Sequence, residues 1–340
     1  MGFLRNTWYA AGWVTQLKKA PIAITILDEP LLIVCAEDGK PSALTDTCPH
    51  RFAPLSMGKI ASDRVQCPYH GLVFDLDGNC VHNPHGNGKC PSSLKVETYP
   101  VTFSDGIVWV WMGDKDKAEG VSPPPFDFLQ VEDAHKLEGY LHVGSHYELV
   151  TDNLLDLSHV EFLHPMLSTL GYASTLRYEA KQDGNQVTAY HYMDGQEPSP
   201  LFRMFHDASV TRTNGRAHMH WLPPANMLLD TGSTPIDGAD KTDAALPMAH
   251  LLTPESATST HYFWAAASEK FQSNEQFRHM VYGAIDQAFK NEDEPMVVAV
   301  AARMKGRDLL DMSPVLLPMD AAAMRARRTL QKMINEESVP

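Results

Sequence analysis

The spacing of apolar residues changes character once along the chain. Up to about residue 112 they come in short runs broken by turn formers. Segments 22–27, 30–35 and 42–44 are apolar or β-branched, with Asp28-Glu29 and Asp38-Gly39 between them, the pattern of short strands joined by tight turns. Leu72-Val73-Phe74-Asp75 leads into Asp77-Gly78-Asn79 and resumes at Cys80-Val81-His82, which predicts a hairpin. Ile107-Val108-Trp109-Val110-Trp111 is the clearest strand. A proline-rich stretch, Glu119-Gly120-Val121-Ser122-Pro123-Pro124-Pro125, then reads as a stiff connection.

Beyond it, Leu149, Val150, Leu154, Leu157 and Val160 recur at helical spacing and predict a helix over 147–164 that ends or loosens before Pro165. Segments 187–192, 218–222, 226–229 and 261–265 return to strand-like patterns, with a polar stretch at 237–243 that reads as a mobile loop. Phe277, Val281, Ile285, Phe289 and Val297 predict a helix over 274–304, and 320–336 reads as a last amphipathic helix. No internal repeat is visible. The organisation expected is an all-β domain at 1–118, a linker at 119–128 and a mixed helix-and-sheet domain at 129–340.

Length and composition fit this picture. With 340 residues the chain can bury two cores, and 44 % hydrophobic with 21 % charged residues is ordinary for a globular protein. Asp and Glu outnumber Lys and Arg by 42 to 28, a net charge of −14, which argues against nucleic acid or an anionic membrane surface as partner. No run approaches the roughly 18 apolar residues of a membrane span, and the first residues lack a secretory pattern, so a cytoplasmic location is expected. Five cysteines, an odd number, argue against a disulfide framework. Cys35, inside an apolar run, reads as a buried small hydrophobe, and Cys80 and Cys90 read as structural.

Two of the cysteines change the argument. Cys48-Pro49-His50 is followed, after sixteen residues, by Cys67-Pro68-Tyr69-His70. Each half offers one thiolate and one imidazole from a short loop, so two loops make a four-ligand metal site. Structural zinc accepts two Cys and two His, but zinc fingers keep the cysteines together and the histidines together. Here they alternate, as in a Rieske [2Fe–2S] centre, where two Cys hold one iron and two His the other. Such a centre relays single electrons. The loop Asn83-Pro84-His85-Gly86-Asn87-Gly88 lacks the third glycine and the strand-to-helix setting of a nucleotide fingerprint, and reads as a surface loop with polar histidines, His82 and His85.

In the second half, Asp156 and His159 lie three apart on one helical face, and His164 follows before Pro165. Two histidines on a helix suit either a metal site or a satisfied core pair. Asn291-Glu292-Asp293-Glu294 reads on its own as a solvated acidic cluster.

Together these residues resemble the oxygenase component of Rieske non-heme iron aromatic oxygenases. The branch they resemble includes vanillate O-demethylase, dicamba O-demethylase and toluenesulfonate methyl-monooxygenase. The matching stretches are Asn6-Thr7-Trp8-Tyr9, Cys48-Pro49-His50-Arg51 with Ala53-Pro54-Leu55, Cys67-Pro68-Tyr69-His70-Gly71-Leu72, and Asp152-Asn153-Leu154-Leu155-Asp156-Leu157-Ser158-His159. The resemblance implies an α+β architecture, an N-terminal all-β Rieske domain followed by a helix-grip, START-like catalytic domain of helices and antiparallel sheet. It implies that Cys48, His50, Cys67 and His70 hold the cluster. His159, His164 and Asp293 would hold a mononuclear Fe(II) as a 2-His-1-carboxylate triad with open positions, with Glu292 and Glu294 as competitors for the acid. Asn153 would lie beside the iron as a weak or distant ligand. In a head-to-tail homotrimer, Asp156 would link His70 of one subunit to His159 of the next.

The same resemblance implies electrons from NADH through a separate flavin- and ferredoxin-type reductase, with O2 and a small aromatic acid as substrates. One oxygen atom would enter a methoxy group, releasing formaldehyde, or a methyl group, giving an alcohol. His250 aligns with a pocket-lining position that could hydrogen-bond a carboxylate, or is a structural histidine. Trp221-Leu222-Pro223-Pro224-Ala225 resembles the toluenesulfonate enzyme, and the 83–88 loop resembles the dicamba enzyme. Ring hydroxylation, a Rieske electron carrier without oxygenase activity, and a zinc-stabilised binding module are the alternatives.

Overall fold

The computed structural model of the chain describes residues 2–61, 63–169, 171–239 and 241–337. The chain divides into two compact units. One is Arg5–Pro125 with Thr253–Ser256, and the other is Met1–Leu4, Phe126–Leu252 and Ala257–Pro340.

Among the described residues the first unit is built from three small antiparallel sheets. Strand Ile107–Met112 lies between Thr7–Trp13 and Val101–Ser104, and all six of its residues are buried, which explains its unbroken apolar run. The second sheet orders Ile22–Ile26, Glu29–Cys35, Pro41–Thr45 and Thr98–Tyr99. Its first turn is Leu27-Asp28, one residue earlier than the sequence suggested. Both residues have positive φ, 54° and 65°, as a two-residue hairpin turn with right-handed strand twist requires. Their N–H groups donate to the carbonyls of Pro254 and Glu255 at 2.9 and 2.8 Å, so backbone bonds hold a conformation that leucine rarely adopts. Cys35 ends its strand half-buried rather than in the core.

The third sheet runs Lys59–Ala61, Arg64–Gln66, Val73–Asp75 and Cys80–His82, and includes the hairpin expected at 72–82. The Asp75 carboxylate accepts the N–H groups of Asp77 and Asn79. Gly78 is obligatory at the turn, since its φ is 81° and a Cβ there would lie 2.1 Å from the Val96 carbonyl oxygen. Leu32, Leu44, Leu55, Val65, Leu72 and Phe74 form a core that Cys48 and Cys67 complete.

The second unit is an eight-stranded antiparallel sheet with helices, the architecture expected. The strand order is Lys136–Val143, Ser259–Ala267, Met248–Ser256, Asn226–Pro235, Thr213–Leu222, Gln186–Gln196 and Arg177–Asp183, with Ala244–Ala245 paired beside Asn226–Pro235. The predicted strands are all present and longer than predicted. Lys136–Val143, Arg177–Asp183 and Met248–Ser256 went unrecognised. Lys136–Val143 buries Leu137, Gly139, Leu141 and Val143 in alternation, with Gly139 opposite Trp264, whose ring occupies the space of a Cβ. The polar stretch at 237–243 is tied at both ends. Asp237 accepts from Thr211 and Arg212, and Asp243 pairs with Arg216. Asp240 lies outside the described residues.

Two helical expectations need correction. The helix predicted to reach His164 ends at Leu155. Asp156 is extended, and its carboxylate accepts the Ser158 N–H at 2.9 Å, capping a new 3₁₀ turn, Leu157–His159, that leads into Val160–Leu163. An aspartate that satisfies free N–H groups starts a helical turn rather than continuing one. The helix predicted over 274–304 is Glu275–Gln287 and Glu294–Met304 joined by a π-helical turn, Ala288–Asp293. The last helix is Ala321–Glu337. Among the described residues no helix is long and apolar enough to cross a membrane.

Candidate metal centres

In the first unit, two loops have one backbone frame. The Cys48 N–H donates to Ala53 O and the Phe52 N–H to Cys48 O; likewise Cys67 donates to Leu72 O and Gly71 to Cys67 O. The residue four after each cysteine has positive φ, 59° at Phe52 and 72° at Gly71. Equivalent turns therefore present a buried thiol followed by an imidazole. Cys48 and Cys67 are both buried. The rings of His50 and His70 lie outside them, 4.5 Å apart between centroids. An inner sulfur pair beneath an outer nitrogen pair suits two irons stacked outward better than one tetrahedral ion.

Two observations test the fit of a cluster. His70 Nδ1 is buried without a hydrogen-bond partner, so one ring nitrogen points inward and lacks a ligand. Burial pushes the Cys48 thiol above its ordinary pKa, and Cys67 pushes it the same way, so two thiolates there require adjacent positive charge. Both fit an iron–sulfur group held by Cys48, His50, Cys67 and His70. The loop at 83–88 lies beside them, with His85 Nε2 2.8 Å from the His70 carbonyl oxygen. The Cys80 and Cys90 sulfurs are 3.3 Å apart, as free thiols.

In the second unit, the 3₁₀ turn after Asp156 carries His159, the end of the next short helix carries His164, and the π turn carries Asp293. The Nε2 atoms of the two histidines are 3.2 Å apart, and Asp293 Oδ1 lies 3.4 and 3.1 Å from them. Donors about 2 Å from one ion and at right angles would stand roughly 3 Å apart. The group thus has the geometry of three adjacent positions around a single metal, leaving the opposite side open. Among the described residues it is Asp293, and neither Glu292 nor Glu294, that converges with the imidazoles.

Neighbouring contacts hold each donor in place. The Asn153 side-chain amide donates to Asp293 Oδ1 at 3.0 Å, so it orients the carboxylate. His159 Nδ1 donates to the backbone carbonyl of Asp156 at 2.6 Å; the aspartate grips this ring through its main chain, and its carboxylate serves the Ser158 N–H. His164 is 2 % exposed, with Nδ1 2.7 Å from Glu292 Oε2. Burial works against charge on His164, but Asp293 and Glu292 outweigh it and raise its pKa. Burial likewise opposes ionisation of Asp293, yet hydrogen bonds from His159 and His164 hold it at about 2. The sequence had marked Glu292 only as a rival ligand, and its service to the far nitrogen of His164 went unseen.

The triad forms part of the wall of a pocket lined by apolar side chains, among them Leu154, Val160, Phe202, Ile285 and Phe289. His250 lines it too, buried, with Nδ1 2.6 Å from the Tyr262 hydroxyl and Nε2 without a partner. Burial lowers its pKa to about 3, so it is neutral near pH 7. A tyrosine hydroxyl donating to Nδ1 leaves the hydrogen on Nε2, available to a ligand. Further out, Arg327 of the last helix, 5 % exposed, makes a two-pronged pair with Asp152 and a bond to Glu148, anchoring the helix that carries Asn153.

Residues 143–336 match the family model described as the vanillate O-demethylase oxygenase C-terminal domain, and residues 7–100 match the Rieske [2Fe-2S] domain. The dicamba O-demethylase oxygenase component of Stenotrophomonas maltophilia is 35 % identical over 98 % of each chain. The chloroacetanilide N-alkylformylase oxygenase component of Rhizorhabdus wittichii is 33 % identical over 99 % of this chain and 97 % of that one. Dicamba monooxygenase superposes over the whole of both chains with a TM-score of 0.91 and 34 % identity in its complex with 3,6-dichlorosalicylic acid. The same enzyme with non-heme iron and dicamba gives 0.84 over 99 % of each chain, also at 34 % identity. The chain thus belongs to the vanillate O-demethylase oxygenase family, as the oxygenase component of a Rieske non-heme iron monooxygenase.

Proposed function

We propose that this oxygenase uses O2 and NADH-derived electrons, delivered by a separate flavin- and ferredoxin-type reductase, to oxidise a methoxy or methyl substituent of an aromatic acid. The observation that carries the reading is the convergence of His159, His164 and Asp293 in the wall of an apolar pocket that contains a buried, unpaired nitrogen, His250 Nε2. Cys48, His50, Cys67 and His70 hold the [2Fe–2S] cluster, and His159, His164 and Asp293 hold ferrous iron. When bound, these groups supply one-electron relay and reductive activation of O2.

The chain's own residues do the rest. Leu154, Val160, Phe202, Ile285 and Phe289 exclude water and receive an aromatic ring. His250, neutral and fixed by Tyr262, donates to the carboxylate and turns the opposite end of the ring toward the triad. For a methoxy substrate, O2, two electrons and two protons give water and a hemiacetal, which collapses to a phenol and formaldehyde. An aryl methyl gives a benzylic alcohol and water by the same count. In a head-to-tail homotrimer, His70 of one protomer meets the Asp156 carboxylate of the next, whose carbonyl holds His159.

A second reading follows from the charge of the pocket. No Lys or Arg is among its described lining residues, which include Glu197 and Asp293. A neutral methoxy or N-alkyl arene therefore enters with less desolvation cost than an anion. Both readings are tested by formaldehyde release and O2 uptake with a matched reductase and NADH, across methoxy-, methyl- and N-alkyl-arenes in acidic and neutral forms. Substrate-dependent O2 consumption is expected for one series, matched by formaldehyde from a methoxy or N-methyl substrate or by benzylic alcohol from an aryl methyl. Oxygen found only on the ring would make the enzyme a hydroxylase and overturn the proposal.

A further inference from the structure

We propose that Glu292 is a positioning residue for the mononuclear iron, holding the His164 ring so that Nε2 faces the metal. The inference rests on the reading of His159, His164 and Asp293 as the iron site. An imidazole can bind a metal through one nitrogen only if the hydrogen sits on the other, and the partner of that other nitrogen decides where it sits. For His164 the two edges are distinct. Nε2 faces Asp293 Oδ1 at 3.1 Å and His159 Nε2 at 3.2 Å, and Nδ1 faces Glu292 Oε2 at 2.7 Å. An ionised carboxylate accepts and never donates, and each edge of the ring faces one; a metal between Asp293 and Nε2 would take the Nε2 lone pair, leaving the hydrogen on Nδ1, where Glu292 holds it.

The two histidines are held by different means. His159 Nδ1 meets a main-chain carbonyl, Asp156 O, at 2.6 Å, a neutral acceptor that the local turn supplies whatever the side chain. His164 meets a charge, and an anionic partner makes the ring a stronger donor to a metal. The π turn Ala288–Asp293 places two successive acids of one helix on opposite edges of one ring, and π turns recur at functional sites. Reaching the far edge takes the longer side chain, which is why glutamate and aspartate are not interchangeable here. The other oxygen of Glu292 is within 3.4 Å of the Gln287 amide, and Gln287 in turn accepts from Asn291 at 2.8 Å, so the carboxylate is itself held.

The test is an Fe(II) titration of the full-length protein, cluster intact and mononuclear iron removed with chelator. It is read by iron affinity and by the EPR signal of the iron treated with nitric oxide. Glu292→Ala should weaken Fe(II) binding about 10- to 100-fold, the usual cost of losing such a partner, and alter the signal. Glu292→Gln, whose amide oxygen accepts the same hydrogen without charge, should recover most of the affinity. If Glu292→Ala folds poorly, Glu292→Asp, which retracts the carboxylate, carries the same expectation as Ala. Wild-type affinity with an unchanged signal in the Ala or Asp variant overturns the proposal. Wild-type protein that binds no iron beyond its cluster, like an Asp293→Ala control, overturns the iron-site reading itself, a result distinct from a selective effect at Glu292.

Discussion

The two metal centres are assembled in opposite ways. The four candidate cluster ligands all lie within residues 48–70, and each loop closes on itself through the same pair of backbone hydrogen bonds. The triad joins His159 and His164 to an aspartate 129 positions further on (293 − 164). It exists only because a capped turn, a short helix and a π turn meet. A site built from adjacent loops is close to a local property of the sequence, whereas the triad is a property of packing. Removing one ligand from each separates them. Asp293→Ala should leave two irons per chain in place of three, keep the cluster's visible and EPR spectra, and reduce substrate oxidation to background. Cys67→Ser should lose the colour and the reductive half of the reaction yet still bind Fe(II) at the triad. Loss of both metals from either single variant would show that the centres are not independently built.

This difference also governs what could be read from the sequence. The alternating Cys and His, the hairpin at 72–82, the strand at 107–111 and the final helix were legible because each is written in a few consecutive residues. Asp156 was misplaced on a continuous helix because hydrophobic spacing runs on through Leu157 and Val160, and periodicity does not register that the aspartate side chain caps a new turn. The strand Lys136–Val143 does alternate, Leu137, Gly139, Leu141 and Val143 facing inward, but a glycine at one inward position weakened the signal. That glycine is there to admit Trp264. Which of the acids at 292–294 reaches both Nε2 atoms is set by the π turn, and hydrophobic spacing carries no mark of it. The sequence pointed to Asp293 only through resemblance.

A finer probe of the contrast is the link between the centres. Asp156→Asn keeps the backbone carbonyl that holds His159, and its amide oxygen can still cap the Ser158 N–H, so local geometry and both metals should survive. What it removes is the carboxylate charge. If that carboxylate bridges to His70 of a neighbouring protomer, cluster reduction by the reductase should be unchanged while turnover falls about 10- to 100-fold, the range for loss of a partner that orients a metal-bound imidazole. Stopped-flow reduction of the cluster followed by single-turnover product analysis reads both quantities. Full turnover would remove Asp156 from the path and leave the carbonyl as its whole contribution.

At His250 the effect falls on binding rather than turnover, and its size sorts the two substrate readings. Burial holds this imidazole neutral down to about pH 3, so with Tyr262 donating to Nδ1 its Nε2–H stays a donor, unchanged in charge, across the working range. It should add no pH dependence to KM between about pH 5.5 and 8.5, a window far above that folded-state pKa. His250→Phe removes the donor and keeps an apolar wall. It also strips Tyr262 of its partner at Nδ1, which lowers stability by about 1–3 kcal/mol, so His250→Phe/Tyr262→Phe is the proper control and KM, not the melting temperature, is the readout. A hydrogen bond to a charged acceptor contributes about 1.5–3 kcal/mol and one to a neutral acceptor about 0.5–1.5 kcal/mol. For an aromatic acid, KM should therefore rise about 10- to 100-fold with kcat little changed; for a neutral ether or amide the rise should be only a few-fold. A large rise for the acid and a small one for its neutral analogue would fix His250 as the carboxylate's donor. Equal small effects on both would point to a neutral substrate, and the missing cation would then describe the pocket's selectivity.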